Sequence, residues 1–588
     1  MSTQLLVGGR IYSSSSPDAT AMAVTDGTVV WLGADRPGRA LYPDAEIIEL
    51  DGAFVAPAFV DPHVHVTALG LQLTGLDLSR ATSLAHCLEL VRDYALEHPG
   101  AVLGDGWDET RWPEGRPPTA AEIDAAAGPG RSVYLVRVDA HSAVASTALL
   151  DAVPGVTAAA GYSPGEPLRA EAHHLIRASA LDGLDRSHRD RARRAALDHA
   201  AAHGIVAVHE CAGPQISGRA DVTELLEFTH GVQVRAYWGE AVGSAEQARA
   251  LIDDLGVHGL AGDLFVDGSI GSHTAWLRAP YADRDTTGVG YLDADAIAAH
   301  VRACTGAGIQ AGFHAIGDGA LEAVAQGFSR VAAELGGPAV AARGHRVEHA
   351  ELLDAAQIST LAACGVIASV QPGFDAEWGG PDGMYATRLG AARAAALNPF
   401  AAMAAAGISL AIGSDAPVTA LNPWEAIRAA AHHRTPGHQI SPRAAFAAAT
   451  RGAWRAGGVR DGVAGTQVPR PPPPDPPLTR GSPTRGAANH PTPGHQISPR
   501  AAFAAATRGG GGAGGVRDGV AGTLVPGAPA SYALWDAADL AVAAASDKVQ
   551  RWSTDPRSRV PGLPPLTPGT NPPRCLRTVH HGTTIYEA

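Results

Sequence analysis

Apolar and polar positions divide the chain into three kinds of territory. At the start, short apolar runs (Leu5–Val7, Met22–Val24, Val29–Leu32, Glu46–Leu50) are separated by Gly8-Gly9, Asp26-Gly27 and Asp51-Gly52. Runs bounded this way predict strands joined by tight turns. Similar runs stand near the other end, at Tyr532–Trp535, Leu576–Val579 and Thr584–Tyr586. Neither set can bury a core alone, so residues 1–55 together with 524–588 read as one composite β-sandwich.

Between them, residues 56–466 repeat a single unit. Near-continuous apolar runs include Phe54–Val60, Val133–Val138, Ile205–Val208, Val234–Trp238, Leu264–Val266, Ile309–Phe313, Val366–Val370 and Ile408–Ile412. They alternate with Ala-rich stretches such as Asp190–Ala202, Asp293–Ala307 and Ala320–Leu335. Strands without polar alternation are buried on both faces, which predicts a parallel sheet covered by helices. Most runs end in polar residues: Asp61–His65, His209-Glu210, Asp267–Ser269, His314–Asp318, Gln371 and Ser414-Asp415. Barrel enzymes carry their chemistry at such strand ends. No GxGxxG follows an early strand, which argues against a doubly wound sheet. The expected fold class is α/β, a (β/α)8 TIM-like barrel.

The third territory is a repeat. Residues His433–Thr466 recur almost unchanged as His490–Thr523, joined by the Pro-rich QVPRPPPPDPPLTRGSPTRGAAN. Two copies do not make a solenoid. Removing 467–523 joins VAGT smoothly to LVPGAPASYALWD, so 467–523 reads as a Pro/Gly-rich duplicated insertion, expected to be disordered.

Composition narrows the function classes. Across 588 residues, 45 Lys+Arg against 59 Asp+Glu leave a net charge of −14, a poor match to nucleic acid or an anionic membrane. Five cysteines lie scattered without CxxC spacing, which predicts a reducing compartment and no thiolate zinc site. No apolar run reaches ~18 residues and the first residues lack a signal-peptide pattern, so a cytoplasmic location is expected. Almost all positive charge is arginine, Lys548 being the only lysine.

The sharpest chemistry is APAFVDPHVHV, residues 56–66. Residues i and i+2 of a strand share a face, so His63 and His65 can approach one divalent metal ion. His314 and Asp318 in GFHAIGDGA, His345, Glu348 and His349 in HRVEHAELL, and Asp415 in LAIGSDAPV also stand at strand ends. Alone, each has a plain reading as a turn histidine or a helix cap. Their shared position points to one site.

These motifs resemble the amidohydrolase superfamily, in the branch called amidohydrolase family 3 or YtcJ-like. GWDETRWPEGRPPT, VYLVRVDAHSAV, LFVDGSIGSHTAWL, SVQPGFDAEWGGPDGMY and CLRTVHHGTTIY extend the likeness over nearly the whole chain outside 467–523. The resemblance implies a metal-dependent barrel with ligands at His63, His65, His314 and His349, and Asp415 as ligand and proton shuttle. Asp415 and His349 are then the catalytic pair. Binuclear members often bridge two metals with a carboxylated lysine on the fourth strand. Here Asp263 stands at that position and no lysine lies in the barrel. Asp263 is too short to span the gap without backbone movement, which leaves Glu210 as the substitute carboxylate and favours one metal, zinc, over two.

Substrate contacts are expected from Trp107, Asp267, Asp318 and Gln371, with Trp378 and Tyr385 on a nearby loop. Arg346 and Arg388 are candidates to hold a substrate carboxylate. The expected function is hydrolysis of a non-peptide C–N bond in a small-molecule amide, an N-substituted amide or formamide. Deamination of a cyclic amine, or a non-catalytic barrel disabled by the insertion, are the alternatives. Neither nucleic acid nor membrane is an expected partner, and a homo-oligomer is compatible with the sequence.

Overall fold

The computed structural model describes residues 2–458, 520–537, 539–540 and 562–588. Its centre is an eight-stranded parallel sheet in chain order: β1 (Phe59–Val64), β2 (Ile205–Ala212), β3 (Gln233–Trp238), β4 (Gly259–Leu260), β5 (Gln310–Ala315), β6 (Arg346–His349), β7 (Ile367–Val370) and β8 (Ser409–Ile412). Every residue of β1, β2, β5, β6 and β7 is buried, as strands covered on both faces must be. The sheet curls until β8 meets β1. Val64 bridges Ala416, the His65 N–H donates to Ala416 O at 2.9 Å, and the Asp415 N–H donates to His63 O at 2.8 Å. The Asp61 carboxylate accepts from the N–H groups of both His63 and Ser414 at 3.1 Å, tying the two strand ends together.

Outer helices begin where the sequence supplies caps. Asp293 accepts from the Asp295 and Ala296 N–H groups ahead of helix Ala294–Ala307. Helix Arg186–Ala202 starts a turn earlier than its apolar pattern, because Asp185 accepts from the His188 N–H at 2.9 Å. A side-chain oxygen at this place satisfies a donor the helix leaves unpaired.

Two apolar runs do not become barrel strands. Val133–Arg137 joins a separate five-stranded sheet, in the order Leu168–Arg169, Ser142–Ala145, Val133–Arg137, Val102–Trp107, Leu76–Asp77, inserted between β1 and β2. This layer has its own core around Trp107, Cys87, Val91 and Ile123, so its strands are as apolar as those of the barrel. Leu264–Val266 is also outside the ladder. After β4, Gly262 turns the backbone with φ +74°, and only Phe265 bridges onward, to His314.

Strands from the two ends of the sequence share a sheet, with Phe54–Pro57 antiparallel to Tyr532–Asp536 and then Arg574–His580 and Thr583–Glu587. A four-stranded sheet of Thr28–Gly33, Ala21–Thr25, Thr3–Val7 and Glu46–Glu49 lies beside it. The barrel is sealed against these sheets by aromatic rings. Trp424 stands 5.2 Å from Phe59, 5.5 Å from Trp535 and 5.6 Å from Phe446, centroid to centroid.

The described chain follows the first repeat copy to Gly458 and resumes in the second at Val520. Of the expected insertion 467–523, residues 467–519 lie outside the described residues. The last four do not belong to a disordered segment: Val520 is buried, and Gly522 packs against the Arg451 backbone so closely that a Cβ would meet it at 2.7 Å. Among the described residues no helix is long and apolar enough to cross a membrane.

Candidate metal centre

The ends of β1, β6 and β8 and the turn after β4 deliver five side chains to one point. His63 Nε2 lies 3.4 Å from Asp263 and 3.3 Å from Asp415, and His65 Nε2 lies 3.3 Å and 3.1 Å from the same two carboxylates. His349 Nε2 is 3.9 Å from Asp263. His63, His65 and Asp415, and likewise His63, Asp263 and His349, bring donor atoms within 4.8 Å of one another. All five residues are buried. The backbone is turned for this purpose, since His349 and Asp415 take the left-handed region at φ +67° and +57°, a conformation non-glycine residues hold only under constraint.

Apart from one another, these donor atoms find no hydrogen-bond partner among the described residues. His63 Nε2, His349 Nε2, Asp263 Oδ1 and Asp415 Oδ1 are buried without a hydrogen bond. Buried polar atoms are normally satisfied, and lone pairs converging this way are what a cation requires. Two histidines are already set to present Nε2. His63 donates Nδ1–H to Glu348 at 2.9 Å, and His349 donates Nδ1–H to the Gln371 side-chain oxygen at 2.8 Å. Such outer partners fix the tautomer of a metal-binding imidazole.

Electrostatics agree. Burial opposes a proton on the His65 ring, yet the Asp263 and Asp415 carboxylates raise its pKa to about 10, and Cys211 together with the same carboxylates raises that of His63. Burial works against both carboxylates too, but the facing imidazoles hold Asp263 and Asp415 below the usual carboxylate range. The cluster therefore holds positive charge strongly, and a divalent ion can displace the protons.

Asp263, whose short side chain argues against it in the sequence, is at the heart of the cluster, because the turn at Gly262 carries its backbone inward. Gly239 allows the approach: a Cβ there would stand 2.5 Å from the Asp263 carbonyl oxygen. Glu210, expected as the substitute carboxylate, is not among the converging groups. Its carboxylate accepts from the Val66 N–H at 2.7 Å, and burial pushes its pKa up to about 7. His314 lies beside the cluster, its ring 4.4 Å from that of His349, but contributes no atom to either group. His63, Cys211 and Glu348 form a third grouping, whose carboxylate is already committed to Arg346 at 2.6 Å and 2.9 Å.

The four expected substrate contacts fall elsewhere. Trp107 is fully buried and donates its indole N–H to Leu135 O. Asp267 accepts from the N–H groups of Trp276, Ile316 and Gly317, which consumes both its oxygens. Asp318 is paired with Arg278 at the rim. Gln371 serves His349. The cleft above the cluster is lined instead by Leu71, Asp105, Tyr134, His141, Arg177 and Phe265, among others. Most come from the inserted layer, whose link to the site is a long-range packing event with no local sequence signal. Asp-Ala-His at 139–141 was the one available hint. Asp139 is gripped by Arg137, Ser269 and Ser272, and Ala140 at φ +55° turns His141 toward the cleft wall.

Comparison with known proteins matches residues 46–466 to a family model described as the amidohydrolase family. The chain is 28% identical over 465 residues to YtcJ of Bacillus subtilis (strain 168), covering 74% of this chain and 84% of that protein. It is 25% identical over 476 residues to an N-substituted formamide deformylase of Arthrobacter pascens, covering 75% and 85%. Among solved structures, an uncharacterized metal-dependent hydrolase from Pyrococcus furiosus superposes with a TM-score of 0.59 at 25% identity, covering 77% of this chain and 94% of that one.

Proposed function

The chain belongs to the amidohydrolase family, metal-dependent hydrolases of C–N bonds other than peptide bonds, and from that premise we propose that it hydrolyses N-substituted amides, formamides foremost. The carrying observation is the convergence of buried atoms of His63, Asp263, His349 and Asp415 that make no hydrogen bond among the described residues at the floor of a largely apolar cleft. The likeness to the Arthrobacter deformylase supports the formamide. Imidazole and carboxylate donors without thiolate suit a single zinc ion, with His63, His65, Asp263, His349 and Asp415 as the residues that would hold it. Five free, buried cysteines are in keeping with a cytoplasmic setting.

When bound, a divalent ion supplies the acidity that makes water a nucleophile at neutral pH and the charge that polarises a carbonyl. The protein does the rest. Asp415, already kept as a carboxylate, accepts the proton of the attacking water and returns it to the departing nitrogen. Gln371 and Glu348 hold the His349 and His63 rings, so the lone pairs point inward without rearrangement. Val418 and Phe265 wall the cleft beside the cluster. Products are a carboxylate and a free amine.

Turnover of an N-alkylformamide by zinc-loaded chain, followed as formate and amine release, tests the reading. Asp415→Asn should keep bound metal and lose roughly 10²- to 10⁴-fold in rate. Wild-type turnover in metal-loaded Asp415→Asn, or ammonia as the released product, would overturn it.

A further inference from the structure

The cations around the cleft are nearly all spoken for. Arg137 is bound by Asp108, Glu109 and Asp139. Arg346 is bound by Glu348, and Arg388 by Glu109 and Asp283, so neither is free for the carboxylate role its sequence position raised. Arg177 differs. It lies in helix Ala170–Asp182 of the inserted layer and lines the same cleft as His65 and Asp415. Its guanidinium donates to two backbone carbonyls, Gln215 O at 3.0 Å and Ala140 O, and to the Tyr134 hydroxyl; Asp105 feels its charge, but no carboxylate ion-pairs with it among the described residues. The two carbonyls and the phenol fix its place without neutralising it, and they leave part of the five-donor fork unspent.

We propose that Arg177 is a specificity residue that binds a carboxylate borne by the substrate at the end remote from the scissile C–N bond. This rests on the amide-hydrolase reading of the same cleft. The substrate class is then an N-substituted amide with an apolar body ending in a carboxylate. Leu71, Leu76, Leu103, Phe265 and Ile216 provide the apolar wall between the two polar ends. Arg177 also borders an adjoining open cleft, so a group bound there need not be wholly stripped of water. Asp105 shares this end of the cleft, and a monoanion is tolerated beside it better than a phosphate dianion would be. The Arg177 bond to Ala140 O is also structural, so the test must separate charge recognition from loop support.

A graded series of ω-(formylamino)alkanoates and the matching terminal carboxamides does so, because loop damage harms both members of a pair alike. In zinc-loaded wild-type protein, kcat/KM should favour the acid of the best chain length by roughly 10- to 100-fold. Arg177→Gln should bring the ratio near one, and Arg177→Lys should keep part of it. In parallel, calorimetric binding of the alkanoate and its carboxamide to metal-free protein should show the same preference, lost in Arg177→Gln. Equal turnover and equal binding of acid and carboxamide by wild type, or a preference unchanged by Arg177→Gln, would overturn the proposal while leaving amide hydrolysis standing. If no formamide of either kind is hydrolysed, the functional reading fails and the binding preference still decides Arg177.

Discussion

Arg346 offers a sharp test of how the barrel interior supports the metal cluster. Its guanidinium is completely buried. It donates to Glu348 at 2.6 Å and 2.9 Å, to Pro62 O at 2.6 Å, to His209 Nδ1 at 3.1 Å and to Ser369 at 3.3 Å, and its charge centre lies 4.6 Å from the Tyr237 ring. Glu348 in turn holds His63. Arg346→Met leaves the Glu348 carboxylate buried with the imidazole as its one remaining partner. Breaking a buried pair from one side costs about 3–5 kcal/mol, or roughly two to four orders of magnitude in the folding equilibrium. Replacing both partners, in Arg346→Met/Glu348→Leu, removes the stranded charge but, like Arg346→Met itself, leaves Pro62 O and His209 Nδ1 unpaired, a residual cost of about 1–3 kcal/mol each. The double variant should therefore be more stable than Arg346→Met alone in urea unfolding. Metal affinity should behave differently. With Glu348 gone, His63 loses the acceptor that fixes its tautomer, so the double variant should bind zinc about 10- to 100-fold more weakly despite its recovered stability. Additive stability losses, or undiminished zinc affinity in the double variant, would refute this reasoning.

Gln371→Leu removes the acceptor of His349 Nδ1–H at nearly constant volume, and zinc affinity measured by competition with a chelating dye should fall about 10- to 100-fold while the urea midpoint moves little. Asp105 provides a pH test: burial, with the neighbouring Asp77 charge, pushes its pKa up to about 7 from 3.8. The folded protein thus holds this proton more tightly than the unfolded chain, so the associated stability is complete below pH ~4 and is lost as pH rises to about 7. Asp105→Asn should flatten that part of the stability profile, gaining at most about 4 kcal/mol over wild type at pH 7; parallel wild-type and variant profiles between pH 4 and 7 would show the assignment wrong.

Much of the barrel could be read in the sequence because burial on both faces leaves continuous apolar runs, and each ends where the backbone emerges at the site. That logic brought out His63, His65, His349 and Asp415. It failed where the same signal has another cause. Val133–Arg137 is equally apolar because the inserted layer buries it against helices of its own, and nothing local distinguishes it from a barrel strand. Side-chain length alone argues against Asp263, and the turn at Gly262, which brings its backbone to the cluster, leaves no local sign. Trp107 and Asp267 looked like cleft residues by position, but their hydrogen bonds to Leu135 O and to three loop N–H groups turn them inward. Arg177 carries no motif at all, and only the packing of the inserted layer on the barrel mouth brings it to the site.

The central claim is that His63, His65, Asp263, His349 and Asp415 together hold a catalytic metal. Metal analysis of the full chain, coupled to formamide turnover before and after chelation, tests it most directly. The account predicts about one divalent ion per chain, loss of turnover on its removal, and recovery on adding zinc back to the wild type but not to His63→Ala/His65→Ala. Undiminished turnover by metal-free protein, or stoichiometric metal and full activity in the double-alanine variant, would contradict it.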